Sequence, residues 1–290
     1  MSKRKVVDGA DAADDDDDSG SDVSLVDVDF DFFDPNPNVD YHALKRLLGQ
    51  LFQRDAERFY LHELTELILA QPTVGTTIKT DGLESDPYAL LTVLNLHQHH
   101  QHPSIGALAA YFLEKTLAAD PPFHAALTAL FSVDSPAQLG LVLCERLVNM
   151  PVQTVPPMYR MLTDELKWAV NDGEPYAFTH LLFVSRAYHL SPAEEEALAN
   201  RAPSRRSKKP KKPKPRQADQ QPPPADGVYP FHPEDALIRE HATHSLFYPF
   251  SADPAPREPD AIGLDVRGCI MLVESARWQA LVDRMAEVYV

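Results

Sequence analysis

The sequence predicts a mixed α/β fold of the α+β type, built as a single domain. Short apolar and β-branched runs of strand length recur at 74–80, 88–96 and 176–190. Amphipathic stretches with apolar residues three and four apart recur at 41–52 and 156–171. The two kinds of segment mix without the regular βαβ beat of a doubly wound sheet. Roughly 220 residues carry such patterns, within the range of one domain.

Residues 1–29 hold few large apolar side chains and include the unbroken run Asp14, Asp15, Asp16, Asp17, Asp18. Adjacent like charges repel and do not pack, so a disordered acidic tail is expected. Ser19, Ser21 and Ser24 stand beside these acids as candidate acidophilic-kinase sites. The domain is expected over 30–290. It opens on an acidic–aromatic segment, Asp29, Phe30, Asp31, Phe32, Phe33 and Asp34, which Pro35 and Pro37 keep out of a helix. The rings either lie buried on the domain or serve, with the aspartates, to recognise a basic partner. Asp40 then suits an N-cap, and Tyr41, Leu44, Leu47, Leu48, Leu51 and Phe52 make one helical stripe. A second helix is expected near 55–70, with Phe59, Leu64, Leu67 and Ile68 inward.

The strand candidates 74–80 and 88–96 flank an Asp81-Gly82 turn signal and suit a hairpin. After the polar loop 97–103, Ser104 is placed as the cap of a helix running to Leu117, and Pro121-Pro122 breaks it before a further short helix. A strand over 139–145 follows, then a helix over 156–171 with Met158, Leu162, Leu166 and Ala169 facing inward, then the long strand. Trp168 and Trp278 are assigned to core or half-buried helix positions. Residues 191–227, rich in Pro, Lys, Arg, Gln and Ser, read as a disordered basic Pro-rich loop. Pattern resumes at Tyr229 with a short helix from Pro233, strands near 243–249 and 268–274, and a last helix to Val288.

The motifs of common chemistries are missing. "HELTE" (62–66) has Glu66 where a zinc-binding helix needs its second histidine. His97, His99, His100 and His102 crowd one loop in the manner of a low-complexity insert. None of the 11 glycines forms Gly-x-Gly, so no phosphate-cradling loop is expected. Cys144 and Cys269 sit among apolar neighbours and read as structural. No catalytic residue, cofactor or metal site is assigned, and the chain is not expected to be an enzyme.

Charge is the informative feature. The chain carries 27 basic and 43 acidic residues, a formal charge of −16. That balance disfavours direct nucleic-acid or anionic-membrane binding and favours a basic protein partner. Against it stands "SRRSKKPKKPKPR" (204–216), in which Arg205, Arg206, Lys208, Lys209, Lys211, Lys212, Lys214 and Arg216 meet no acid. It has no aromatic residue to stack a base, and its prolines favour an extended, exposed chain. Such a run is what a nuclear import receptor reads.

Four blocks, "VDFDFFDPNPNVDYHALKRLLGQLF", "VGTTIKTDGLESDPYALLTVLNL", "ERLVNMPVQTVPPMYRMLTDEL" and "FHPEDALIREHATHSLFYPF", resemble the BCCIP family, from about residue 26 onward. The resemblance implies a nuclear, shuttling protein without known catalysis. It implies a fold similar to the GNAT acetyltransferases, with no working acetyl-CoA site. It also implies a chaperone role for a basic large-subunit ribosomal protein in ribosome biogenesis, and support for nuclear export of a phosphatidylinositol phosphate kinase. An adaptor role in DNA repair or the cell cycle is the alternative, and an acyltransferase the remote one.

Overall fold

A computed structural model describes residues 28–190, 194, 227–251 and 265–289. The run Asp14–Asp18, the serines Ser19, Ser21 and Ser24, and the basic run 204–216 lie outside the described residues, as does most of the 191–227 interruption. In chain order come β1 (Asp31–Phe33), α1 (Tyr41–Phe52), a 3-10 segment (Gln53–Phe59) and α2 (Leu61–Leu69). They are followed by β2 (Thr76–Lys79), β3 (Ala89–Asn95), α3 (Pro103–Ala119), α4 (Pro121–Phe131) and β4 (Leu139–Arg146). Next are α5 (Val155–Asn171), β5 (His180–His189), β6 (Val228–Pro230) and α6 (Glu234–His241). β7 (His244–Pro249), β8 (Asp265–Glu274) and α7 (Trp278–Val288) complete the described chain.

The strands form one sheet in the order β1-β2-β3-β4-β5-β8-β7, with β6 added to β5. β4 and β5 pair in parallel, and the other described pairings are antiparallel. Helices cover both faces, which is why the strands read as nearly unbroken apolar runs rather than alternating ones. Alternation survives as a division between two cores. Leu141, Leu143, Leu182, Val184, Ile270 and Leu272 pack with α1 to α4. Val142, Leu181, Phe183, Cys269, Met271 and Val273 pack with α5, α6 and α7.

β1 is only three residues long, and its attachment depends on a buried ion pair. The Lys79 ammonium, on β2, donates to Asp40 Oδ1 at 2.6 Å and to the Leu83 carbonyl at 2.6 Å. Both side chains are 0% exposed. Asp40 Oδ2 accepts the Asn36 amide at 2.8 Å, and the same ammonium faces the Phe33 ring at 5.8 Å. Asp40 therefore does not act as the side-chain cap expected from its position; it neutralises the lysine that pins β1 and α1 to β2.

Two other expectations change. The helix placed over 55–70 is interrupted at Tyr60, which adopts left-handed backbone (φ 49°). Phe59 belongs to the 3-10 segment, drawn inward by Phe52 and Tyr111 at ring-centroid distances of 4.6 and 4.8 Å. Ser104 is not the cap of α3 either: Pro103 is already helical, and the Ser104 hydroxyl donates to the Tyr60 carbonyl at 3.1 Å. That bond holds α3 against the break before α2.

Removing one member of a buried ion pair strands the other charge, at a cost of roughly 3–5 kcal/mol. Lys79→Met is expected to lower unfolding stability by about that amount in urea titration, and Lys79→Met combined with Asp40→Leu to recover much of it. Equal instability of single and double variants would contradict the role given to the pair.

Candidate protein-interaction site

In open α/β sheets, ligands gather at the carboxyl ends of parallel strands where the sheet changes direction. Here that place is the β4–β5 junction. Pairing runs through five residue pairs, Leu139 with His180 to Leu143 with Val184. Beyond them β4 continues along β3, while β5 takes β6 through Ala187–His189. The resulting wedge is filled by the chain itself. Arg186 donates to both Glu145 carboxylate oxygens at 3.0 and 2.9 Å. Glu145 is also held by Gln50 at 2.9 Å and by His232 Nε2 at 3.0 Å. Arg146 forks onto Glu234, and the Ser185 hydroxyl donates to Asp235 at 2.5 Å. Every one of these charged side chains is buried.

The environment sets their protonation. Burial opposes charge on Glu145, but the His232 hydrogen bond and charge, then Arg186, outweigh it and hold the carboxyl down at about 2. Burial also opposes charge on His232, and the Glu145 contact overcomes it and moves the imidazole upward. Asp235 goes the other way: burial dominates and pushes it up to about 7. Burial and, secondarily, Glu234 push the Cys144 thiol up, which opposes formation of the thiolate. The residual cavity beside Asp235 is about 20 Å³, room for one water and no more. This junction is a structural plug rather than a pocket.

A larger opening lies at the β1 side of the second core. A cleft of about 510 Å³ runs between the end of β1, the turn before β2, and α5. Asp34, Asp164, Glu165 and Asp172 line it together with Met161 and Trp168. Asp164 and Trp168 are four residues apart on α5, and Asp172, four further on, is the residue that caps its C-terminus, so the three line up on one outward side. Trp168 is 64% exposed, against the expectation of a core or half-buried position. It is out of phase with the inward stripe of Met158, Leu162 and Ala169, a signal the spacing alone contains. Glu165 is buried and accepts the Gly75 amide and the Thr76 hydroxyl, both at 3.0 Å, and among the described residues no cation pairs with it. Burial, with a contribution from Asp34, raises its pKa. Gly75 has positive φ, and a Cβ there would lie 3.2 Å from Pro35 and 3.3 Å from Thr92. Glycine thus lets the turn approach β1 closely enough to form the cleft wall.

The profile of the BCCIP family matches residues 25–238. The chain belongs to this family. Protein bcp1 of Schizosaccharomyces pombe is 37% identical over 100% of this chain and 99% of its own length. Protein bcp1 of Aspergillus fumigatus is 42% identical over 91% of this chain and 88% of its own. The crystal structure of BCP1 from Saccharomyces cerevisiae aligns with TM-score 0.60 and 25% identity, covering 94% and 93% of the two chains. An agmatine N-acetyltransferase structure aligns at TM-score 0.32 and 9% identity, so the likeness to acetyltransferases is only distant.

In this BCCIP-family chain the acidic–aromatic segment divides its roles. Phe30 and Phe32 turn in to the second core and Phe33 faces Lys79, while Asp29, Asp31 and Asp34 are exposed. Asp34 is the one of these six that lines the cleft. The histidine loop is built into local structure: His97 Nδ1 accepts the Leu139 amide at 3.3 Å, and His100 Nδ1 donates to the His97 carbonyl at 2.8 Å. Among the described residues, no group of three or more His, Cys, Asp or Glu is placed to hold a metal.

The plug has a consequence for pH. Raised pKa values mean that Asp235 and His232 bind protons more tightly in the fold than in the unfolded chain. The stability they confer is complete in acid and is lost as pH rises, through about 7 for Asp235. Glu145 acts oppositely, losing its contribution only as pH falls below its ordinary range toward about 2. Asp235→Asn is expected to match the parent near pH 4 and to be the more stable of the two at pH 8 in denaturant titrations. A constant gap across that range would contradict a protonated Asp235.

Proposed function

We propose that this protein is a non-enzymatic nuclear chaperone and escort for a basic protein of the large ribosomal subunit. The observation that carries the reading is the cleft beside β1, where four carboxylates surround an exposed tryptophan. A net charge of −16 supports it, and so does membership of the BCCIP family. Opposite charges speed encounter, and masking a cationic protein keeps it from RNA until delivery. The plugged β4–β5 wedge fits a protein that works by binding. In this reading the basic run 204–216 addresses the complex to an import receptor, and the protein also supports export of a phosphatidylinositol phosphate kinase from the nucleus.

Affinity for a purified basic ribosomal protein is expected to fall at least about tenfold between 50 and 300 mM salt, because exposed charges are screened over a few ångströms at the higher concentration. Calorimetry or fluorescence anisotropy at graded salt reads this out, and a flat profile would contradict charge-driven capture. Changing Lys208, Lys209, Lys211 and Lys212 to Ala in a fusion too bulky to diffuse through pores is expected to leave it in the cytoplasm by fluorescence microscopy. Undiminished nuclear accumulation would remove the addressing role.

A further inference from the structure

We infer that the stripe on α5 reads an extended segment of the client with cationic side chains at alternate positions, the middle one stacked on Trp168. This rests on the chaperone reading and gives it a specific surface. One helical turn on α5 separates Asp164 from Trp168, and Asp172 follows at the C-cap, so the three recur about 6 Å apart along the axis. Alternate residues of an extended chain lie about 6.6 Å apart on one face. The two repeats agree over three positions, so a Lys/Arg-x-Lys/Arg-x-Lys/Arg segment can set one cation at each carboxylate and one over the indole. An exposed tryptophan face attracts a guanidinium or ammonium by its quadrupole. Arg is the better central residue, since its planar head stacks.

Several features narrow the occupant. Asp164 and Asp172 are separated by two turns, about 12 Å, too far to chelate one metal ion. Nucleic acid and the chain's own aspartate run carry the wrong sign. Asp34 closes the cleft from the β1 side, and Glu165 adds a buried carboxyl that no cation among the described residues pairs with. One turn before Asp164, exposed Arg160 ends the acidic stripe, which limits the basic repeat to three places. The local competitor is Lys167, 3.4 Å from Asp164, in a pair whose side chains are 62% and 58% exposed. Pairs this exposed are weak and are displaced readily.

The chain has two tryptophans, and Trp278 is only 8% exposed, so a contact at the stripe should be visible in Trp168 emission. The experiment titrates the full-length chain with two labelled synthetic peptides of identical composition. One carries Lys-x-Arg-x-Lys, and the other carries the same three cations contiguously. Tryptophan fluorescence and peptide anisotropy are recorded together. The alternating peptide is expected to bind more tightly and to shift the emission, and Trp168→Phe to abolish that shift. Trp168→Ala is expected to weaken binding at least about fivefold, and Asp164→Asn with Asp172→Asn by a similar factor or more. These positions are exposed, and unchanged circular dichroism checks the fold. Equal affinity for the two peptides, or unaltered binding by the α5 variants, overturns the inference. If the α5 variants still capture the full ribosomal client in a salt-sensitive manner, the chaperone reading stands and only this surface is wrong. If the parent chain captures no basic client at low salt, both fail.

Discussion

The parting of β4 and β5 is the constraint on which the rest of the molecule depends. Their short parallel pairing joins two antiparallel halves, β1 to β4 on one side and β5, β8 and β7 on the other. Two strands that diverge leave backbone and volume to be satisfied, and this chain satisfies them with β6 and a buried set of ion pairs. Glu145 is shared by Gln50, Arg186 and His232, so α1, β5 and the β6–α6 turn converge on one carboxylate. The second pair, Arg146 with Glu234, ties the end of β4 to α6. Buried ion pairs add little net stability over apolar packing, but an unmatched partner is costly. Their effect is to fix how the halves meet.

With that junction closed, the proposed recognition of a client falls to the surface. The two places where charge is handled differ in kind. At the plug, each guanidinium has a carboxylate and each carboxylate has a donor, so the network is internally matched. At the β1–α5 cleft, negative charge is left in excess around an aromatic face. Positive charge there would bring the same compensation that Arg186 brings to Glu145. The buried pair of Lys79 and Asp40 links the two levels, because it holds the strand that forms one cleft wall. β1 stays attached through local burial of Phe30 and Phe32 and leaves its aspartates in water.

Much of the fold was legible in residue patterns. The strands at 76–79, 89–95 and 139–146 and the helices at 41–52 and 155–171 follow their apolar spacing closely. Local competition was harder to read. Tyr60 breaks a helix without glycine or proline, because the aromatic contacts of Phe59 and the Ser104 bond favour the break. Asp40 has the chemistry of a cap, yet its partner lies on β2, 39 residues away. The plug was hidden for the same reason, with Glu145 and His232 87 residues apart and Arg146 and Glu234 88 apart. Trp168 was readable: its phase places it outside the buried stripe, but residue type alone argues for the core. The acidic–aromatic segment left two readings open; Phe30 and Phe32 bury toward the second core, while Phe33 shares the other face of the strand with Asp31.

The most direct measurement of the central claim is hydrogen–deuterium exchange of the full chain, alone and saturated with a basic large-subunit ribosomal protein. The account predicts added protection over β1 and the exposed face of α5, with the β4–β5 junction unchanged because it is already closed. Protection concentrated at β4, β5 and α6, with none at β1 or α5, would contradict it.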